Sequence, residues 1–323
     1  MKKSLLALAV LGAFAGTAAA QVTVYGQLEA AYGVRESTVA GVTTEDTGVQ
    51  NNALGASRWG IRGSEDLGNG LKAIFNLETA VRLDGESDMM SGPRLAFVGL
   101  EGGFGRLTLG RDNNPIHSVA AASDVDGRNT FSVTGNLYEG TNRGDAITYT
   151  SPNFGGLTAR AQLSNEETEV GGIDTTNRIV ALAVNYANGP LTAGAGYQKI
   201  DNEIGGLNER EHWIVGAAYD LGVVKLFANA QQREIEAGAS AGTEQREYNI
   251  SASAPVGAFT IVAGVGRNEV EAPGVADRDG NDYMVGANYS LSKRTVAYVR
   301  HGRWDTLESN NSKGTQVGVR HHF

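Results

Sequence analysis

The chain has 323 residues, a formal net charge of −9, 41% hydrophobic residues and no cysteine. The acidic balance argues against a nucleic-acid partner, which would require a basic surface. The absence of cysteine excludes both a disulfide framework and a thiolate metal site. Beyond the first twenty residues, no stretch approaches the roughly 20 apolar residues of a membrane helix. The fold class therefore depends on how apolar and polar residues alternate along the chain.

Residues 1–20 have the composition of a secretory signal peptide. Lys2 and Lys3 precede a short, mostly apolar run over Ser4–Ala15, and small residues follow at Ala18–Ala20. This order predicts cleavage before Gln21, since the apolar run is too short to cross a bilayer as a helix. The alternative is an ordinary buried helix. We therefore predict a signal peptide over 1–20, whose removal makes the chain two charges more acidic, and one β-barrel domain over 21–323.

Alternation with a period of two begins at Gln21 and continues to the last residue. In 71–82 one face is apolar and the other polar: Leu71, Ala73, Phe75, Leu77 and Val81 oppose Lys72, Asn76, Glu78 and Arg82. The chain ends in the same way, with Val317, Val319, His321 and Phe323 opposing Gln316, Gly318, Arg320 and His322. Such patterns predict β-strands with one apolar and one polar face.

Short and long connections alternate between these strands. Seven are short and rich in turn-forming residues: 66–70, 102–105, 151–156, 187–190, 220–222, 254–257 and 291–293. Eight are longer and polar, near 36–54, 84–93, 112–142, 165–176, 202–209, 235–245, 268–281 and 304–313. This arrangement predicts sixteen antiparallel strands with both termini on the short-turn side, which is typical of outer-membrane barrels.

Four tyrosines support a transmembrane barrel. Tyr149, Tyr186, Tyr219 and Tyr289 each precede a short turn by one to three residues, as a girdle at one membrane interface requires. The sheet must close on itself, because an open edge cannot lie in hydrocarbon. About sixteen strands enclose a lumen too wide for side chains to fill, so a water-filled channel follows unless something blocks it. The longest connection, 112–142, is the segment that could fold inward.

Several stretches resemble the Gram-negative trimeric porin family of Neisseria and Burkholderia relatives. The resemblance runs from end to end of the mature chain, and its motifs are specific in combination. They are Ser57–Ala73, Phe97–Leu100, Gly103–Gly105, Leu109–Arg111, Ser151–Gly156 and Gly318–Phe323. It implies an all-β fold, a sixteen-stranded antiparallel transmembrane β-barrel with an inward-folded third loop, and a homotrimer. It also implies that Phe323 is an assembly signal read by the barrel assembly machinery. The alternative is that Phe323 is only a lipid-facing girdle residue, and the two roles are compatible.

Basic residues concentrate on the polar faces of the first strands. After Pro93, for example, alternation places Arg94 on the face opposite to Leu95 and Phe97. Arginine or lysine facing lipid near mid-membrane costs about 2–4 kcal/mol, so these side chains are expected to face the lumen. The resemblance places pore arginines at Arg58 and Arg94, and a third at or beside Arg143. Arg62 and Lys72 extend the same wall, and loop acids are expected to face it: Asp124, Asp126 and Glu139. The alternative is that the arginines pair with nearby acids and merely solvate the lumen.

No other motif predicts chemistry. Asp124–Asn129 and Asp277–Asp282 resemble half of a calcium loop but lack the glutamate at position twelve. The five histidines have no metal spacing, and no serine stands in a recognisable nucleophile context, so we expect no metal, no cofactor and no enzymatic activity.

The sequence thus predicts an outer-membrane general diffusion porin, a passive channel for small hydrophilic solutes and ions with mild anion preference. The expected partners are two further copies of the chain, outer-membrane lipid and lipopolysaccharide, the barrel assembly machinery and the permeating solutes. Two alternatives remain: a substrate-selective anion channel on the same scaffold, and a surface adhesin barrel without conductance.

Overall fold

The computed structural model describes most of the chain after residue 20. The described residues are 21–39, 41–51, 53–85, 89–127, 129–134, 137, 142–170, 173–202, 209–238, 240–306 and 310–323. The predicted signal peptide over 1–20 and the predicted loop acid Glu139 lie outside the described residues.

Strands account for nearly all of the described chain. They are β1 Gln21–Val39, β2 Val42–Gln50, β3 Arg58–Gly68, β4 Leu71–Val81, β5 Met90–Gly102, β6 Gly105–Asn113, β7 Asn142–Thr150, β8 Leu157–Val170, β9 Ile173–Asn188, β10 Leu191–Asn202, β11 Arg210–Asp220, β12 Lys225–Ile235, β13 Thr243–Val256, β14 Phe259–Glu271, β15 Arg278–Ser290, β16 Thr295–Thr306 and β17 Asn310–His322. One helix, α1, covers Pro115–Ala122 between β6 and β7.

The strands form a single closed antiparallel sheet. The last strand pairs with the first, from Gln27 opposite His322 to Thr38 opposite Asn311. On its other side β1 pairs with β2 near the loops and with β3 near the turns, so β2 and β3 together occupy one position around the barrel. Seventeen strands therefore fill sixteen positions, and the predicted sixteen-stranded barrel is confirmed.

The two faces of the sheet differ as the alternation predicted. Along β14 exposed and buried residues alternate: Ile261 and Val265 point outward and are exposed, while Val262 points inward and is buried. Large apolar side chains dominate the exposed outer face throughout the barrel. The inner face carries buried polar side chains such as Gln162 and Gln198. Hydrocarbon outside and water inside account for this inversion of the usual soluble-protein pattern.

Tyrosines lie on the outer face near the turns. Tyr149, Tyr219 and Tyr289 are each 40–45% exposed and stand directly opposite outward apolar residues of the next strand. Tyr186 is partly buried but lies on the same face, opposite Leu157. An amphipathic ring at this height fits the membrane–water interface.

The outer connections are shorter than the sequence predicted. The stretch 36–54 was expected to be a loop, yet β1 and β2 continue through it as a hairpin with Val39 opposite Val42. Similarly, β8 runs to Val170 and β9 begins at Ile173 within the expected loop 165–176. The hydrogen-bond ladder does not require apolar side chains, so it continues above the apolar band among threonines and glutamates, where the sequence pattern no longer indicates a strand.

Helix α1 lies against the inner face of the barrel. Asn114 caps its N-terminus by accepting a hydrogen bond from the Ile116 amide at 3.2 Å, and Pro115 occupies the first turn, where no amide donor is needed. The helix buries Ile116, Val119 and Ala120 against the inward-facing Ala183 and Ile214. Among the helices of the described residues, none is long and apolar enough to span a membrane.

The segment after α1 crosses to the opposite wall. Both carboxylate oxygens of Asp126 accept hydrogen bonds from Arg300 of β16, at 2.8 Å and 2.9 Å, and both side chains are almost fully buried. Phe131 packs edge-on against Trp304 of the same strand. The third long connection is therefore folded into the lumen. Helix α1 packs against one wall, and Asp126 and Phe131 bind the opposite wall.

This anchor generates a prediction about the loop. Changing Arg300 to Met leaves Asp126 buried without its cation, and breaking a buried pair in this way costs about 3–5 kcal/mol. We expect the backbone amides of residues 116–127 to exchange hydrogen much faster in this variant while the strand amides stay protected, as measured by mass spectrometry. The matched control is Arg303→Met, because Arg303 pairs with Asp305 on the exposed surface at 3.1 Å and such pairs contribute only about 0–1 kcal/mol. Equal exchange in both variants would remove the anchoring role.

Candidate functional site

A cavity inside the barrel lies between α1 with its following segment and the wall formed by β1, β3, β4, β5 and β17. Its volume is about 490 Å³. Arg58, Arg94 and Arg320 line it together with Glu78 and Asp126. Two of the predicted pore arginines therefore lie on the same cavity, on the wall opposite the inward-folded segment.

Arg58 and Arg94 share one carboxylate. The Arg94 Nε donates to Glu78 Oε1 at 2.7 Å, and Arg58 Nε lies 3.5 Å from Glu78 Oε2. Arg58 also donates to the Ala56 carbonyl at 3.2 Å, which holds its guanidinium toward the cavity. Two positive charges against one negative charge leave this part of the wall with one net positive charge.

A β-bulge brings Arg94 to this position, and it corrects one prediction. The sequence pattern placed Leu95 and Phe97 on the lipid side, opposite Arg94. In the structure Leu95 lines the cavity and Phe97 faces inward opposite Asn76, with only 8% of its surface exposed. The register between β4 and β5 shifts at Thr79, so strict alternation does not hold across Pro93. The insertion of an extra residue re-aims the side chains that follow it.

A second arginine pair lies on the neighbouring wall. Arg106 donates to Asp112 Oδ2 at 2.9 Å, and Arg160 lies 3.9 Å from the other oxygen of the same carboxylate. Thr108 completes the coordination of Asp112 with a hydrogen bond of 2.8 Å. The Arg106 guanidinium also stacks over Phe97 at 5.2 Å. This group again carries one net positive charge, and sequence analysis had not connected Arg160 with Arg106, although alternation along β8 places Arg160 inward.

Three other predicted basic residues stand apart from the cavity. Arg143 is buried and donates to Glu166 at 3.0 Å. Arg62 faces inward nearer the turns, with its guanidinium 4.9 Å over the Tyr25 ring. Lys72 is the second residue of β4, next to the turn, so it lies at the turn-side mouth of the lumen.

The loop acids differ from the expected arrangement. Asp126 lines the cavity with Arg58 and Arg94, but its carboxylate is bound bidentately by Arg300 and is not an open charge facing them. Asp124 is 3% exposed. The acid that the two arginines meet directly is Glu78, from their own wall. The inward orientation of Arg300 and Arg320 could have been predicted by extending the alternation through β16 and β17. No local pattern in the sequence predicts that Arg300 binds Asp126.

The final residue closes the barrel seam. The Phe323 amide donates to the Gly26 carbonyl at 3.1 Å, and the Gly26 amide donates to the Phe323 carbonyl at 3.2 Å. The ring points outward, is 45% exposed and lies against Gly26, where an added Cβ would come within 2.4 Å of it. Phe323 thus combines a structural contact with an exposed aromatic surface at the turn side.

Comparison with known proteins agrees with this architecture. Residues 7–309 match the Gram-negative porin family. The outer membrane porin protein 32 of Delftia acidovorans is 35% identical over 73% of this chain and 71% of its own length, and the major outer membrane protein P.IB of Neisseria meningitidis is 32% identical over 72% and 71%.

Solved structures give the same result. The anion-selective porin from Comamonas acidovorans superposes with a TM-score of 0.79 at 27% identity, covering 94% of this chain and all of the other. The trimer form of OmpT from Vibrio cholerae, at 15% identity and a TM-score of 0.67 over 94% and 99%, shows the same fold. Porins are channels rather than enzymes, and the closed barrel with its charged lumen has the form of such a channel. The chain belongs to the Gram-negative porin family and is a channel protein of the outer membrane.

Proposed function

We propose that the cavity lined by Arg58, Arg94 and Arg320 is the constriction of a passive channel with mild preference for anions. The observation that carries this proposal is the sharing of Glu78 by two arginines, repeated by the sharing of Asp112 by Arg106 and Arg160. Each group leaves one positive charge on the lumen wall. The loop acid that could oppose them, Asp126, is neutralised by Arg300.

The acidity of the whole chain does not contradict anion preference. The net charge of −9 includes acids on the outer face, such as Glu244 and Glu271, which flank Arg246. Exposed charges are screened over about 8 Å at physiological salt, whereas charges on a narrow lumen lie along the path of the permeating ion. The lumen wall therefore decides selectivity.

The selectivity proposal is tested by changing Arg58 and Arg94 together to serine. The substitution converts a local charge of +1 into the bare −1 of Glu78, so we expect the cation-to-anion permeability ratio to rise and the preference to reverse or vanish. Reversal potentials across a planar bilayer in a potassium chloride gradient measure the ratio.

Two further variants sharpen this test. Adding Glu78→Gln to the arginine pair removes the bare carboxylate and should move the ratio part of the way back. Changing Arg246 and Arg267 to serine removes two arginines from the outer face and should leave the ratio unchanged. An unaltered ratio in the Arg58 and Arg94 double variant, or strong cation preference in the native protein, would contradict the constriction role.

Two alternatives are distinguished by transport measurements. A substrate-selective anion channel would show saturable conductance for particular anions, and the anion-selective name of the Comamonas acidovorans structure makes this the nearer alternative. A non-conducting adhesin would show no conductance, which the open cavity between α1 and the wall argues against. We propose no catalytic role, because the charged residues in the described lining of the cavity are mainly arginines held by Glu78 or by backbone carbonyls, without a nucleophile beside a base.

We propose that the protein is a homotrimer embedded beside lipopolysaccharide. Family membership motivates the trimer, and outward ion-paired clusters near the loops, such as Arg246 with Glu271 at 2.7 Å, supply charges at headgroup height. Unheated electrophoresis with parallel crosslinking should give a trimer band that converts to monomer on boiling. A protein that remains monomeric in mild detergent would contradict the trimer.

We also propose that residues 1–20 are a secretory signal peptide and that Phe323 is read by the barrel assembly machinery. Deleting Phe323 removes both the seam hydrogen bonds to Gly26 and the exposed ring, whereas Phe323→Ala removes only the ring. If the ring is the signal, the alanine variant should reach the outer membrane at several-fold lower abundance, Phe323→Tyr should approach native abundance, and assembled channels should conduct normally. Normal abundance of Phe323→Ala would assign the residue to seam closure alone.

A further inference from the structure

The proposed constriction contains one histidine, His117, which has no part in the function described above. It lies on α1 and lines the same cavity as Arg58, Arg94 and Arg320. The helix is fixed with Ile116, Val119 and Ala120 buried against β9 and β11, so it holds His117 on a face turned to the cavity. His117 thus belongs to the inward-folded segment, whereas the arginines belong to the barrel wall across from it.

Charged groups surround His117 from several elements. Across the cavity stand Arg58 on β3, Glu78 on β4, Arg94 on β5 and Arg320 on β17, and Asp126 lies on the segment that follows α1. From the strands behind the helix, Arg160 of β8 donates to the Asn113 carbonyl, and His212 of β11 is buried with its ring bonded to Gln231.

Most of these charges cancel in pairs, so the net charge around the cavity is small. Asp126 is matched by Arg300, the buried Glu29 lies close enough to Arg320 to interact with it, and Glu78 is shared by Arg58 and Arg94, which leaves one net positive charge in this group. Histidine is the side chain whose charge normally changes between pH 5 and pH 8. One added proton on α1 is therefore a large fraction of the net charge along the ion's path.

We propose that His117 makes the selectivity of the channel depend on external pH: its protonation places a positive charge opposite the arginine wall and strengthens anion preference. The proposal rests on the constriction role assigned to this cavity. Protonation turns one side of the lumen from neutral to positive, so that a permeating ion meets positive charge on both sides. Metal ions and conformational change are not required.

The expected size follows from Coulomb's law. A unit charge about 8 Å from the ion path in water changes the anion-to-cation permeability ratio by about two- to fivefold at moderate salt, and less as screening increases. The effect should be present at 0.1 M salt and nearly lost at 1 M salt.

The experiment measures reversal potentials of the native assembled protein in a potassium chloride gradient between pH 8 and pH 5. We expect the anion-to-cation ratio to rise by about two- to fivefold on acidification. His117→Asn should hold the ratio near its pH 8 value throughout, and His117→Lys should hold it near its pH 5 value. Native electrophoretic assembly and insertion into bilayers as stable channels show that the variants are folded.

Three histidines elsewhere serve as controls. His301 and His321 lie on the outer face and are bonded to Thr315 and Thr295, whereas His212 lies on β11 behind α1 and is buried with its ring bonded to Gln231. Their asparagine variants should each retain the native pH response. A constant native ratio, a full response in His117→Asn, or a response lost in His212→Asn or His321→Asn would each overturn the proposal. Anion preference at pH 8 is measured in the same recordings, so failure of the constriction role is seen separately from failure of the histidine role.

Discussion

The structure depends on the requirement that backbone amides and carbonyls within hydrocarbon be paired by the protein itself. A sheet meets this requirement only when it closes, and here closure is made by β1 and β17, with Gly26 and Phe323 exchanging hydrogen bonds at the seam. Closure fixes two faces for every strand. Because the outer face must be apolar, the charges of the chain's membrane-crossing strands are directed to the lumen, and the permeation path is charged for the same reason that the barrel is stable.

Closure also leaves a wide interior, which the inward-folded segment partly fills. The inward-folded segment can approach the wall closely because the facing strands carry glycine at the contact. An added Cβ at Gly216 would lie 2.3 Å from Ser123 Oγ, and one at Gly196 would lie 3.0 Å from an Ile116 methyl group. The helix therefore occupies one side of the lumen and leaves the open cavity on the side of β3, β4 and β5. Glycines that the sequence shows only as weak strand residues thus determine where the channel runs.

The sequence predicted those features that depend on local alternation. The number of strands, the outward tyrosines and the inward positions of Arg58 and Arg62 follow from the two-residue alternation of apolar and polar residues. This alternation can be seen in one sequence alone. The orientation of Leu95 and Phe97 was wrong because the bulge at Thr79 breaks the period without any clear residue signature. The partnership of Asp126 with Arg300 joins residues 174 apart in the chain, and no local pattern records such a contact. Loop lengths were overestimated because polar strands extend above the apolar band.

The charge arrangement is consistent with the proposed anion preference, because it places net positive charge on the lumen wall without isolating buried cations. A lone guanidinium in a partly desolvated wall is costly, and an equal number of acids would cancel its field. Two arginines on one carboxylate satisfy both demands: each guanidinium has a hydrogen-bond or ion-pair partner, while the group retains one positive charge. The motif occurs twice, at Glu78 and at Asp112, on adjoining parts of the same wall. By contrast, Asp126 and Arg300 pair one to one and are buried, so they fix the position of the loop and add nothing to the field. Under the proposed function, the ratio of arginines to carboxylates within each group, and not the total charge of the chain, therefore separates the residues proposed to set selectivity from the residues that hold the inward-folded segment in place.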